Sequence, residues 1–199
     1  ISSQRVPQEA FALNHRINST GFKADFNWFT GRNEFNFGTD LNRYDVMPGD
    51  YMPSDDSSIV IPNSIERQRA IETAIYFEDK YVVTDYLTVN AGLRFSSFFA
   101  MGPQTVTIYN PDSPMSVSSV EDTVTFNRLD NYKTYAGPEL RLSANFRLNH
   151  NSSFKLNYNH TRQYLHLLSN SASIAPSDTW KLSDYHLQPQ SGDQFAAGY

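Results

Sequence analysis

Apolar and polar residues alternate one by one over long stretches of this chain. From Leu87 to Phe99 the odd positions are Leu87, Val89, Ala91, Leu93, Phe95, Ser97 and Phe99, and only the serine is polar. The intervening Thr88, Asn90, Gly92, Arg94 and Ser96 form a second, polar face that only Phe98 interrupts. Pro138, Leu140, Leu142, Ala144, Phe146 and Leu148 alternate in the same way with Glu139, Arg141, Ser143, Asn145 and Arg147. A period of two is the signature of a β-strand with one face in an apolar medium and the other against water or polar protein. Weaker versions run through Phe22–Trp28, from Phe35 towards Tyr44, through Ile71–Tyr81 with Asp79 on the apolar side, and through Phe154–Tyr158. No stretch has helical periodicity. The pattern predicts strands near 18–29, 33–46, 67–83, 86–100, 136–148 and 153–166, with the start of another at 194–199.

The connections alternate as well. Thr30-Gly31-Arg32-Asn33, Thr84-Asp85-Tyr86 and Asn149-His150-Asn151-Ser152 are short and rich in turn formers. Between them lie long polar stretches, expected as loops at 47–65, 101–135 and 167–191. A soluble domain rarely holds loops of roughly 20–35 residues, whereas outer-membrane barrels have short turns at one end and long loops at the other. Aromatic residues gather beside the short turns (Trp28, Phe29, Phe35 and Phe37; Phe77, Tyr81 and Tyr86; Phe146, Phe154 and Tyr158), where an interfacial girdle would lie. Aromatics also favour strands in general.

These features predict an all-β chain, an antiparallel transmembrane β-barrel segment. Its six to seven long strands are too few to close a barrel, for which about eight is the minimum. The chain opens Ile1-Ser2-Ser3-Gln4 and stops at Ala196-Ala197-Gly198-Tyr199, which reads as a part of one larger barrel domain.

Composition narrows the classes further. The 199 residues carry a net charge of −5, which argues against nucleic acid as a partner. Hydrophobic residues are only 39%, yet aromatics reach 14%, which separates this chain from disordered ones. The absence of cysteine excludes a disulfide scaffold and any thiolate zinc site or nucleophile. No apolar run is long enough for a membrane-spanning helix.

Several motifs resemble those of TonB-dependent outer-membrane receptors of the Bacteroidota type. Tyr76-Phe77-Glu78-Asp79-Lys80-Tyr81 followed by Asp85-Tyr86-Leu87-Thr88-Val89-Asn90-Ala91-Gly92-Leu93-Arg94-Phe95 resembles the "Y-x-x-D … L-x-x-x-x-G-x-R" hairpin of that family. Pro138-Glu139-Leu140-Arg141-Leu142-Ser143 resembles its "P-R-x-S" strand, with two residues inserted between the Pro and the Arg. Ser153-Phe154-Lys155-Leu156-Asn157-Tyr158 with Gln163-Tyr164-Leu165-His166-Leu167-Leu168 resembles the "S-x-K-x-x-Y … Q" continuation. Ala175-Pro176-Ser177-Asp178-Thr179-Trp180 and Gln188-Pro189-Gln190 follow in the style of the same group. The resemblance covers about Gly21 to Tyr199. It implies a 22-stranded barrel around an N-terminal plug, placed in the outer membrane of a Gram-negative bacterium. Such receptors take up an iron chelate, a cobalamin or a glycan with energy relayed by TonB. The expected partners are therefore outer-membrane lipid, the protein's own plug domain, TonB and a ligand of unresolved class. The resemblance implies a transporter and no enzyme.

No motif for catalysis or for a phosphate-binding loop is present. Glu72 with Glu78, or Asp178 with Asp184, could be cast as a glycosidase pair, but nothing in the sequence defines a cleft between them. His160 and His166 share strand parity but would lie ~20 Å apart in an extended strand. Asp178, Asp184 and His186 share one loop, where solvated polar residues are the simpler reading. No cofactor and no metal site is expected. The candidate ligand-contacting residues are the loop aromatics Tyr109, Tyr132, Tyr135, Trp180 and Tyr185, which could stack on a sugar or a chelate. The plainer alternative, that they pack the loops on one another, is the favoured one. A different class of protein, an extracellular β-sandwich module binding carbohydrate or protein, would bury Leu93, Leu140, Leu142 and Phe146 between two sheets.

Overall fold

The computed structural model describes residues 2–3, 11–53, 58–59, 61–169 and 178–199. In chain order its strands are β1 (Ser2–Ser3), β2 (Phe11–Thr30), β3 (Asn33–Pro53), β4 (Asn63–Ser64), β5 (Gln68–Val82), β6 (Leu87–Met101), β7 (Gln104–Tyr109), β8 (Val120–Phe126), β9 (Asn131–Arg147), β10 (Ser153–Gln163), β11 (Leu165–Leu168), β12 (Thr179–Leu182) and β13 (Gln190–Gly198). The fold is all-β and antiparallel. Among the described residues the only helical piece is a single 3-10 turn, Val117–Ser119.

One nine-stranded sheet runs in the order β1-β2-β3-β5-β6-β9-β10-β13, with β4 added to β3. It curls into a half-barrel. The register follows the alternation read from the sequence. Phe26 pairs with Phe37, Phe37 with Phe77, Phe77 with Leu93, and Leu93 with Leu140. One apolar row thus crosses five strands on one face. Its members are exposed, as are Phe22, Leu41, Ile75, Phe95, Leu142, Phe146, Phe154 and Leu156 on the same face. Rings meet across the strands beside the short turns, Trp28 tilted against Phe35 and Phe35 stacked on Phe77, each at 5.6 Å between centroids. Asp79, the exception to the alternation, sits among these rings and accepts a 2.9 Å hydrogen bond from Asn33 Nδ2.

The opposite face is polar, and its side chains converge, as the concave side of a curled sheet requires. Arg94 on β6 reaches carboxylates on three other strands. Nη1 donates to Glu139 Oε1 at 2.8 Å and Nη2 to Glu72 Oε1 at 3.2 Å, while Asp40 Oδ2 lies 3.6 Å from Nη2. Tyr44 donates to the other oxygen of Glu72 at 3.1 Å. Lower on the wall Tyr76 donates to Asp25, and Asn90 to Glu78 at 2.7 Å. Tyr76 lies across Gly38, where a Cβ would collide with its ring and with the Ala24 carbonyl, so a side chain cannot be added there.

The short connections share one end. The β2–β3 hairpin turns on Gly31 and Arg32. Gly31 holds φ +57° at the first central position, where the hairpin twist calls for a glycine. The long connections share the other end, and there the structure corrects the expected loops. The 101–135 stretch contains the β7–β8 hairpin, across which Val106 pairs with Val124, and the first residues of β9. β3 continues to Pro53 and is paired by β4, which removes much of the 47–65 loop; residues 54–57 and 60 of it lie outside the described residues. The expected strand 153–166 breaks at Tyr164, after which β11 leaves the sheet to pair with β12. The last strand begins at Gln190, not 194. Residues 170–177, including the Ala175-Pro176-Ser177 stretch, lie outside the described residues.

The buried apolar core is therefore displaced to the long-connection end. Val46, Ala70, Phe98 and Ala100 on the wall pack with Tyr164 and Leu182 of the connection between β10 and β13. Leu182 donates its amide to the buried Gln68 Oε1 at 2.9 Å, which ties the β11–β12 hairpin to β5.

Candidate functional site

The β11–β12 hairpin and the β7–β8 hairpin face each other over the mouth of the half-barrel and leave a cleft of about 310 Å³ between them. Its walls carry Tyr109, Tyr132, Tyr185, His186, Gln104 and Lys181. Each is placed by strand geometry or by a local turn. Tyr109 ends β7 and Tyr132 begins β9, beyond the apolar band, which on that strand covers Pro138 to Phe146. Tyr185 and His186 belong to a turn built on Asp184. One oxygen of Asp184 accepts the amides of His186 and Leu187 at 2.9 and 2.8 Å, and the other pairs with Lys181 Nζ at 2.8 Å.

The rings are fixed by their neighbours. His186 makes edge contacts with Tyr109 and Tyr185, at 5.5 and 5.1 Å between centroids. Its Nε2 lies 2.9 Å from the Thr107 carbonyl oxygen of the opposite hairpin, where the protonated tautomer donates. Lys133 Nζ stands over the rings of both Tyr135 and Tyr185. Burial, reinforced by the carboxylates of Asp184 and Glu66, pushes the Tyr132 hydroxyl far above the usual phenol range, so it remains a neutral hydrogen-bond donor.

The five aromatic candidates thus divide. Tyr109, Tyr132 and Tyr185 line the cleft. Tyr135 and Trp180 pack against the buried cluster instead, and Tyr135 donates to the Asp184 carbonyl at 2.7 Å, bracing the turn from below. Tyr132 does both, since it also packs against the cluster. The packing role and the lining role coexist in one group of rings.

Gln104 was not legible as a site residue. Its Nε2 donates to Glu66 Oε2 at 2.5 Å, while its Oε1 is buried without a partner among the described residues. A buried, unsatisfied acceptor beside a cleft is poised for a donor from outside. Glu66 and Lys181 were equally silent in the sequence, being ordinary charges in polar stretches. The charges of the cleft are internally matched, Lys181 by Asp184 and Glu66 by the Gln104 amide. Asp184 and His186, considered from the sequence as metal ligands with Asp178, are drawn into separate contacts. Among the described residues no three His, Asp or Glu side chains form a group that could hold a metal ion.

Comparisons with protein-family models, with characterised proteins and with solved structures find no match for this chain. The class that can be stated is therefore that of the fold: an antiparallel, curled β-sheet with an apolar outer face, a polar inner face and a folded cap over one end.

Proposed function

We propose that this chain forms part of the wall and mouth of an outer-membrane β-barrel receptor of the TonB-dependent kind, which captures a scarce ligand for uptake. The observation that carries the reading is the opposite chemistry of the two faces. On the outer face Phe22 and Ile75 are 63% and 65% exposed, within a continuous band of aromatic and aliphatic side chains. In water such a band would exceed any patch a soluble monomer tolerates. In a bilayer it is the lipid-facing surface, and the ring stacks beside the short turns take the place of an interfacial girdle. The inner face carries buried and half-buried charge, as the lining of a plugged lumen would. A curled sheet with open edges cannot rest in lipid, because its edge amides would be unsatisfied, so β2 and β13 require further strands to close the wall.

A β-sandwich module is disfavoured on the same face. Its core would contain Leu93, Leu140, Leu142 and Phe146, which are 42–49% exposed. In the receptor reading the cleft lined by Tyr109, Tyr132 and Tyr185 receives the ligand first, and the step performed is binding followed by TonB-driven passage, without catalysis. Fractionation of the intact protein tests the proposal. It should sediment with outer membranes, resist high salt and carbonate, and release only in detergent. Ligand-dependent growth or uptake in the host should vanish on loss of TonB. An intact protein that stays soluble without detergent would end the reading.

A further inference from the structure

Beyond the cleft, the outer face carries a second feature at the upper limit of its apolar band. On β3 the band stops at Leu41 and is followed on the same face by Arg43; on β5 it stops at Ile71 and is followed by Arg69. Arg43 stands directly opposite Ile71, and Arg69 opposite Asp45 and Met101. The two guanidinium-bearing residues are therefore diagonal neighbours, within reach of one common group. The turn between β8 and β9 brings Arg128 and Leu129 over the same spot. Together Arg43, Arg69, Arg128, Ile71, Met101 and Leu129 enclose an open notch of about 450 Å³. Its floor is apolar and continuous with the band below; its rim is cationic. Of the nearby carboxylates, Asp45 is held by Arg67 and lies 3.9 Å from Arg69, and Asp130, in the same turn as Arg128, accepts the Asn127 amide. Arg43 and Arg128 make no ion pair among the described residues.

We propose that this notch seats the phosphate headgroup of an acylated lipid of the outer leaflet, with its chains lying down the band past Ile75 and Phe95. The inference rests on the membrane reading of the outer face. Guanidinium groups match phosphate oxygens in charge and fork geometry, and three of them at one spot exceed what solubility requires on a chain of net charge −5. The apolar floor selects an amphiphile over a free anion. The long-connection side of the band places the notch at headgroup level in the leaflet that the mouth faces.

Native mass spectrometry of the intact protein in a non-ionic detergent tests it, with bis-phosphorylated lipid A, the same lipid stripped of phosphate, and inorganic phosphate as probes. The protein should retain the phosphorylated lipid about tenfold better than the stripped one, and Arg43→Gln with Arg128→Gln should bring the two to parity. Lys155→Gln with Arg147→Gln removes equal charge elsewhere and should leave the preference intact. Heat-modifiable migration on gels checks that each variant is folded. A detergent-extracted protein without any preference overturns the notch and leaves the membrane reading standing. Loss of preference in the control pair reduces it to bulk charge, and equal displacement by inorganic phosphate makes it a free-anion site; either overturns the lipid assignment. A protein that needs no detergent overturns the underlying reading as well.

Discussion

Tyr164 lies flat on Phe98, 4.7 Å between ring centroids and 7° from parallel, with its hydroxyl 2.9 Å from Ser96 Oγ. Phe98 belongs to the wall, whereas Tyr164 is the residue at which the chain leaves it. This pair therefore joins the cap to the barrel wall and converts a long connection into folded structure.

Removing that joint should free the cap while sparing the sheet. Tyr164→Ala deletes a large buried ring, which should cost roughly 3–5 kcal/mol. Tyr164→Phe keeps the stack and loses one hydrogen bond, for about 1 kcal/mol. Limited proteolysis of the intact protein should cut within 178–189 in the Ala variant and leave that segment protected in the Phe variant.

Arg94 compensates three carboxylates at once, and Glu139 beneath it is 3% exposed. Arg94→Met leaves that buried acid unpaired and should cost about 3–5 kcal/mol, read as a lower unfolding midpoint in urea. Arg94→Met combined with Glu139→Leu should be less damaging than Arg94→Met alone, because the most buried of the stranded charges is gone. A double variant as poor as the sum of its parts would show that the network does not act as a unit.

The two faces predict opposite tolerances around Leu142. Leu142→Arg near mid-band should cost roughly 2–4 kcal/mol in a bilayer, whereas Arg141→Leu on the inner face should be milder. Leu142→Trp separates lipid from protein surroundings. A lipid-facing Trp meets no packing limit, while a packed core would lose about 1–3 kcal/mol to overpacking. Equal yields of folded protein from wild type and Leu142→Trp are expected in vesicle-insertion assays.

The cap should loosen in mild acid. His166, in the cap beyond the band, is buried with Nε2 2.8 Å from Ser183 Oγ. Burial depresses its pKa below the ordinary 6.5, only partly opposed by the carboxylate of Asp184. The unfolded cap then binds the proton more readily than the folded one. Its stability is complete above pH 6.5 and falls as the pH drops towards the folded value. Acrylamide quenching of Trp180, followed in a Trp28→Phe background, should rise below pH 6.5 and stay flat in His166→Gln.

Six of the long strands in the curled sheet show in the sequence because alternation is a local property, whereas of the last strand, Gln190–Gly198, only the end from 194 was expected. A residue such as Leu93 shows its face by its own two neighbours, and the short turns mark themselves through Gly31 and the Asn149–Ser152 cluster. The aromatic candidates were legible by residue type, although nothing in a polar stretch distinguishes Tyr185, which lines the cleft, from Trp180, which packs beneath it. Tertiary structure decided the rest. That Arg94 gathers Asp40, Glu72 and Glu139, that Gln104 faces a cleft with an unpaired oxygen, and that Tyr164 ends one strand by stacking on another depend on residues 22 to 68 positions apart. A one-dimensional pattern reports how each residue meets its medium. It does not report which distant residues share that medium, because curvature and the fold-back of the long connections bring them together only after the sheet has formed.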